Sequence, residues 1–476
     1  MGELAKKSDL SVSYLNEIES GKKYPKQDKI AALAKALNIP YDKLVSLKLN
    51  KKLAPIGELL ESNILEQLPL DHYGIDLHKL IVLLSNAPVQ LNALISTLIE
   101  MARSSELSNN NFSKTALRTY KELNENYFED IEKLSSNFKR RFHITKTSPV
   151  SLTKLKNILT EKYSYIIDES VIEKEPELAS IRAIVIPGSH SKLLINKKLK
   201  PEQKLFILAK ELGYLFMNIK ERSYVYARYP LNSFDELLNN YRTSYFATSL
   251  IIDKNIFIKD IKSFFNKKNW DEKQLRKLIS KHNATPEMFM QRLTNIASKF
   301  LELSGFFFLR FNKKIGEHEI RLSKEMRLNI RQNPGGYNTN EHYCRRWISV
   351  GVLQNLEKAI KKGKNFKENP VGIQISHFYE TGEYFLTISV ARPSTLLPDN
   401  LISITVGFLL DEAAKRIIKF WNDPKIQTVK VHDTCERCGI SDCKERVAAP
   451  EILESKQNKE KVDLLIQKLL KESPVR

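Results

Sequence analysis

Apolar residues recur at helical spacing over the first fifty positions and predict three short helices. Glu3 to Lys7 gives the first, and Asp9-Leu10 is the tight turn after it. Ser11 is placed to cap a second helix ending at Gly21, and a third carries Ile30, Leu33, Ala34 and Leu37 on one face. Residues 51–145 keep the helical period. "HKLIVLLSNAPVQLNALISTLIEMA" is strongly apolar and broken near Pro88. "ALRTYKELNENYFEDIEKLSSNFKRRF" holds a longer amphipathic repeat, the pattern either of a segment that pairs protomers or of a plain helical linker. From about 146 the pattern changes. "SLTKLKNILTEKYSYIIDES" reads as a helix entering a strand, and "IRAIVIPGSHSKLLIN" as a β-hairpin about Pro187-Gly188. A helix over 201–217 follows, then a helical pattern at 241–253 and short helices to about 303. Beyond that, "GFFFLRF", "PVGIQISHF", "EYFLTISVA" and "LISITVGFLLD" read as strands of a mixed sheet with flanking helices. The last element, "SKQNKEKVDLLIQKLLKES", sets Val462, Leu465, Ile466, Leu469 and Leu470 on one helical face. It is expected to dock on its own domain or else on a partner protomer.

These patterns describe a multidomain α+β chain. An all-α segment spans 1–50, a helical linker or dimerisation region 51–145, an α+β domain 146–303, a mixed α/β domain with the character of a sensor 304–450, and an amphipathic helix 451–476. A chain of 476 residues exceeds one compact domain. Its 76 basic and 56 acidic residues leave a net charge of +20. That excess favours an anionic partner, of which nucleic acid is the commonest; the alternative is a lysine-rich solvated surface. No apolar run reaches the roughly 18–20 residues that span a bilayer, and the N-terminus has no signal-peptide core. A cytoplasmic protein with no membrane partner is expected, and its four cysteines are not expected to form disulfides there.

The stretch "LAKKSDLSVSYLNEIESGKKYP" resembles the helix-turn-helix of the lambda-repressor-like (XRE) family almost position by position. The resemblance implies double-stranded DNA as partner, with Ser11, Val12, Ser13 and Glu17 facing base edges and Lys22 and Lys23 meeting phosphate. It also implies a homodimer. Family members carry a further helix before this point, so a chain that begins at Met1, inside the motif, is expected to lack part of that module's core and one phosphate contact.

"FILAKELGYLF", residues 206–216, has the frame of a zinc-peptidase helix without its ligands. In H-E-x-x-H, two histidines one turn apart hold the metal and the glutamate is general base. Here Lys210 and Tyr214 stand at the histidine positions and Glu211 remains. An ammonium repels Zn²⁺, and a phenol ligates well only after losing a proton near pH 10. Leu205, Leu208, Ala209, Leu212 and Leu215 still form a core-facing stripe, so the helix is expected to persist as packing. The order of elements over about 150 residues resembles the ImmA/IrrE family of gluzincin-like peptidase domains. In that family a carboxylate supplies the third ligand, and Asn240 stands near that position here. The resemblance therefore implies a degenerate domain, and no enzymatic activity is expected.

All four cysteines fall in the 304–450 region: Cys435, Cys438 and Cys443 in C-x2-C-x4-C spacing, and Cys344 far upstream. Three clustered thiols plus one remote thiol are more typical of an iron–sulfur cluster than of zinc, which prefers paired knuckles. Zinc, with His342 or His432 as substitute ligand, and no metal at all stay open. Cys344 with Trp347, then Cys435, Cys438 and Cys443 followed by Arg446, Ala448 and Pro450, is similar to the C-terminal domain of short-chain fatty acyl-CoA regulators. These join an XRE head, a degenerate ImmA/IrrE-like domain and a ligand-binding tail. The resemblance implies a 4Fe–4S cluster held by the four cysteines and an acyl-CoA or other small effector. The expected function is a DNA-binding regulator sensing a metabolite or redox state. The alternatives are a metallopeptidase that cleaves a repressor and an antitoxin-like binding protein.

Overall fold

The structure is a computed structural model, and it describes residues 2–19, 25–38, 109–145, 150–226, 233–330, 341–363 and 368–472. Contacts divide the chain into two units, Met1–Ser113 and Lys114–Arg476. The apolar segment at 78–102 lies outside the described residues. Among those described, no helix is long and apolar enough to cross a membrane.

In the first unit, helices α1 (Gly2–Ser8), α2 (Val12–Glu19) and α3 (Gln27–Leu37) match the predicted order. Asp9 takes a left-handed φ of 52° at the expected turn, where the Leu10 N–H returns to the Ala5 carbonyl. Ala5, Leu15 and Leu33 form a small core with Leu4, Leu10 and Ile18 packed around it. Leu37, placed on the inward face by its spacing, is exposed.

The second unit begins inside the predicted linker. The amphipathic repeat is two helices, α4 (Asn109–Leu123) and α5 (Glu129–Arg141), because Glu125 and Asn126 both adopt positive φ between them. Buried ion pairs fix α5 in the body of the unit: Glu132 holds Arg292 through both carboxylate oxygens, and Lys139 meets Asp253. Residues 114–145 are thus part of the domain rather than a connector to it.

Helix α6 (Leu152–Tyr163) leads into β1 (Ile166–Asp168), and the short helix α7 (Val171–Lys174) precedes the hairpin strands β2 (Ala183–Ile186) and β3 (Lys192–Ile195). They form a three-stranded sheet in the order β1-β3-β2, with β1 parallel and β2 antiparallel to β3. Helix α8 (Pro201–Phe216) packs against α6 and α9 (Phe234–Ile251), and α10 (Lys254–Phe265), α11 (Glu272–Lys281) and α12 (Pro286–Leu301) complete the helical layer.

The C-terminal sheet has six strands: β4 (Phe306–Lys314), β5 (Ile320–Leu328), β6 (Val371–Phe378), β7 (Tyr384–Pro393), β8 (Asn400–Leu409) and β9 (Thr428–Val431). Their order is β5-β4-β8-β7-β6-β9, antiparallel except for β6 and β9. Helix α13 (Ile348–Lys361) lies on one face through Val350, Leu353 and Leu356. It approaches so closely that a Cβ on Gly372 would sit 2.6 Å from the Ile348 side chain, and on the same face a Cβ on Gly407 would sit 2.3 Å from the Phe307 ring. A short helix, α14 (Glu412–Ile417), follows the sheet. Helix α15 (Glu451–Glu472) ends the description. Its Val462, Leu465, Ile466 and Leu469 are exposed, so the expected docking on its own domain is not observed; the Leu470 side chain lies outside the described residues.

Candidate functional site

On α2, Ser11 accepts the Tyr14 N–H through Oγ at 3.1 Å, the N-cap that its position predicted. Ser11, Val12 and Ser13 are exposed together at the start of the helix, and Glu17 is half-buried one turn on. Val12 is an apolar side chain left 44% exposed among the described residues. Lys22 and Lys23 lie outside the described residues.

In the second unit, α8 brings the degenerate zinc-site residues together. The Lys210 ammonium donates to Asn240 Oδ1 on α9, and its Nζ stands 5.2 Å from the Tyr226 ring centroid. Burial strips this group of water and, with Lys324, Arg222 and Arg182 nearby, lowers its pKa to about 7. Lys210 is therefore not the fully protonated lysine that its type alone predicts near neutral pH. Glu211 is saturated. Its Oε1 accepts from Tyr165 Oη at 2.7 Å and Arg222 Nη1 at 2.8 Å, and its Oε2 from Arg222 Nη2 at 2.6 Å and Tyr226 Oη at 2.7 Å. Burial pushes the carboxyl up, but Arg222 and the two hydroxyls outweigh it and hold it below the usual carboxylate range. Tyr214 packs its ring on the Arg222 guanidinium at 3.8 Å, and burial raises its phenol. A guanidinium thus occupies the charge that a general base would need free. Arg222, Tyr226 and Tyr165 were not legible in the motif. The stripe Leu205, Leu208, Ala209 and Leu212 is buried as predicted, with Leu215 half-buried.

The cysteines sit where two distant segments meet. Tyr343 and Thr434 form an antiparallel bridge; the Cys344 N–H donates to the Asp433 carbonyl at 3.0 Å and the Cys435 N–H to the His342 carbonyl at 2.9 Å. Cys344 is thereby carried beside the C-x2-C-x4-C loop. The Cys438 N–H closes a turn on the Cys435 carbonyl at 3.2 Å. Arg446 ties the loop by donating to the carbonyls of Cys435, Cys438 and Ile440, and Trp347 Nε1 donates to the His432 carbonyl at 2.7 Å. Cys344, Cys435 and Cys438 are buried and Cys443 is half-buried. Cys435 and Cys438 stand near enough to Cys344 to disfavour its thiolate, as Cys443 and Cys435 do for Cys438. Burial pushes the Cys344 thiol up to about 11 and raises Cys438 as well.

Neither histidine offered as a substitute ligand is simply free. His342 Nδ1 meets Glu436 at 2.7 Å. His432 Nδ1 accepts the Asp433 N–H at 2.8 Å, which puts the proton of a neutral ring on Nε2, the atom facing Glu380 at 3.5 Å. Among the described residues, Glu380, His432 and Asp433 are the group whose ligand-type atoms all lie within 4.8 Å of one another. No three of the four sulfurs are that close.

A cleft of about 1070 Å³ opens between α11, the end of α13 and the end of β7. Lys200, Lys273, Arg276, Lys277 and Arg392 give it a cationic lining against Glu368 and Asp399, and Leu356, Ile360 and Val390 supply an apolar wall. Arg392 is 6% exposed; its Nη1 donates to the Pro393 carbonyl at 3.2 Å, while its Nε has no hydrogen-bond partner.

No curated protein matches the chain. Among solved structures, a Mycobacterium tuberculosis transcriptional regulator is similar at 14% identity over 70% of this chain and 92% of that one, with a TM-score of 0.48. Residues 1–44 match the family model described as a helix-turn-helix, the unit that α1, α2 and α3 build.

Proposed function

We propose that this chain is a DNA-binding transcriptional regulator that acts as a homodimer and senses a small effector or redox state through its second unit. The observation that carries the reading is the helix-turn-helix over residues 1–44, with Ser11, Val12 and Ser13 exposed at the start of α2. The net charge of +20 supports a polyanionic partner. Effector binding would shift the population between dimer geometries, and so between half-site spacings.

The four cysteines fit a 4Fe–4S cluster. The two segments that carry them meet at one loop, and no three of the sulfurs lie within 4.8 Å of one another, as three thiolates around a single tetrahedral zinc would. When bound, such a cluster supplies a redox-active or structural centre. The chain's part is to hold the thiols: Trp347 and Arg446 pin the two segments that carry them. The acyl-CoA implied by resemblance finds support in the cleft, whose cations suit phosphate groups and whose apolar wall suits an acyl chain. A peptidase reading is disfavoured by Arg222 on Glu211.

Two measurements test the proposal. Lys22→Ala should weaken binding to all DNA sequences and flatten the salt slope by about one unit. Anaerobically purified protein should carry iron and sulfide in a 1:1 ratio. DNA binding that is absent at every salt concentration sinks the regulator reading, and stoichiometric zinc without sulfide sinks the cluster.

A further inference from the structure

Strand β2 is an outer strand of its three-stranded sheet, so its outward backbone groups need a partner. The chain supplies one itself. Ile184 lies opposite Val225 in an antiparallel bridge. The Val185 N–H donates to the Tyr224 carbonyl at 2.8 Å, the Tyr226 N–H to the Ala183 carbonyl at 2.8 Å, and the Arg182 N–H to the Tyr226 carbonyl at 3.1 Å. The same few residues send two side chains onto Glu211: the Arg222 fork and the Tyr226 hydroxyl. Arg222 is 5% exposed at its side chain, with the Tyr214 ring against its face.

An extended segment pairing with a free sheet edge, with one long side chain in an adjacent pocket, is how a bound peptide is recognised by strand addition. We propose that residues 222–226 are an internal occupant of an extended-peptide groove, formed by the β2 edge and an arginine pocket at Glu211. While seated, the segment closes the groove to any peptide from outside and closes Glu211 to any cation. The occupant it mimics is an extended peptide carrying an arginine two positions before a run of aromatic and β-branched residues. The order Arg222-Ser223-Tyr224-Val225-Tyr226 gives that register. Against its burial, the Arg222 guanidinium and the Tyr226 and Tyr165 hydroxyls keep Glu211 ionised, which suits capture of a guanidinium rather than a neutral side chain. The inference does not depend on DNA binding or on the cysteines.

The test begins with hydrogen exchange of the full chain. In Arg222→Gln combined with Tyr226→Phe, both anchors of the segment are weakened while Glu211 and the β2 edge stay intact. The amides of Arg182, Val185 and Tyr226 should lose at least about tenfold in protection, with those of α12 unchanged. Unchanged protection at all three amides overturns the proposal. The opened variant is then titrated with the synthetic peptide KERSYVYA, the sequence of residues 220–227. It should bind, the wild type should bind at least about tenfold more weakly, and the peptide with glutamine for arginine should also bind at least about tenfold more weakly. Freely exchanging edge amides with no peptide binding, or equal binding of the arginine and glutamine peptides, would show that the groove does not recognise peptides this way.

Discussion

Replacing Glu211 with glutamine leaves the shape of the site and removes its charge. The carboxylate accepts hydrogen bonds from Tyr165, Tyr226 and both terminal nitrogens of Arg222. Glutamine offers one acceptor oxygen and turns two N–H donors on a guanidinium that has nothing to accept with. The Glu211 side chain is 0% exposed and that of Arg222 is 5%, so solvent screens little of the loss. Stranding one partner of a buried pair costs about 3–5 kcal/mol, and the same range applies to Arg222→Met. The double variant removes both charges, so its cost should fall short of the sum by roughly 2–3 kcal/mol. All three tryptophans, Trp270, Trp347 and Trp421, lie in the second unit, so urea unfolding followed by their fluorescence reports that unit alone. The pH dependence has a fixed sign. The folded carboxyl is held below its ordinary value, so its contribution is present above that value and is lost as pH falls through the folded one. Wild type should therefore lose stability on acidification that Glu211→Gln has already lost. Single variants each costing under about 1 kcal/mol, or a strictly additive pair, would refute the closed ion pair.

Lys210 has the opposite consequence: its folded pKa near 7 against an ordinary 10.5 means that burying the charge costs stability below pH 7, a penalty that fades as pH rises towards 10.5. Lys210→Met should stabilise the second unit at pH 6, by up to roughly 5 kcal/mol before relaxation, and flatten the rise in tryptophan-monitored stability between pH 7 and 9. Cys344→Ser should lose as much bound iron per chain as Cys438→Ser, since each removes one of four thiols; a Cys344 variant with full iron content argues for a three-cysteine site. Gly407→Ala puts a methyl into the Phe307 ring and should cost about 1–3 kcal/mol in the same unfolding assay, whereas Gly351→Ala, with open space at its Cβ, should cost little.

What could be read beforehand followed period, and what could not followed contact. Helix α8 and strands β4, β6, β7 and β8 announce themselves through runs whose period matches their burial. Strand β5, "IRLSKEMRL", was missed because an outer strand carries lysine, arginine and glutamate on its open side and resembles a polar connector. The break between α4 and α5 was missed because Glu125 and Asn126 turn there for a tertiary reason: the Asn126 side chain and carbonyl bond to Thr294 and Asn295 on α12. At the degenerate site, Lys210, Glu211 and Tyr214 were legible because one helix fixes their spacing, and Asn240, on the next long helix, through the resemblance alone. Arg222 and Tyr165 reach Glu211 from 11 and 46 residues away, and no local pattern carries that information.

The bridge that brings Cys344 to its companions also sets when they can meet. His342 and Glu436 bond across 94 residues of sequence, and the β6–β9 pairing lies inside that span. Contacts so remote close late, because the loop entropy is spent before the contact returns anything. During synthesis Cys344 leaves the ribosome with no companion. The other three thiols follow only after nearly the whole six-stranded sheet has been made. A complete set of four thiols is thus a sign of finished folding, so any group that needs all four is loaded after the fold rather than during it. A chain that stops before Thr434 keeps most of the sheet and never acquires the site.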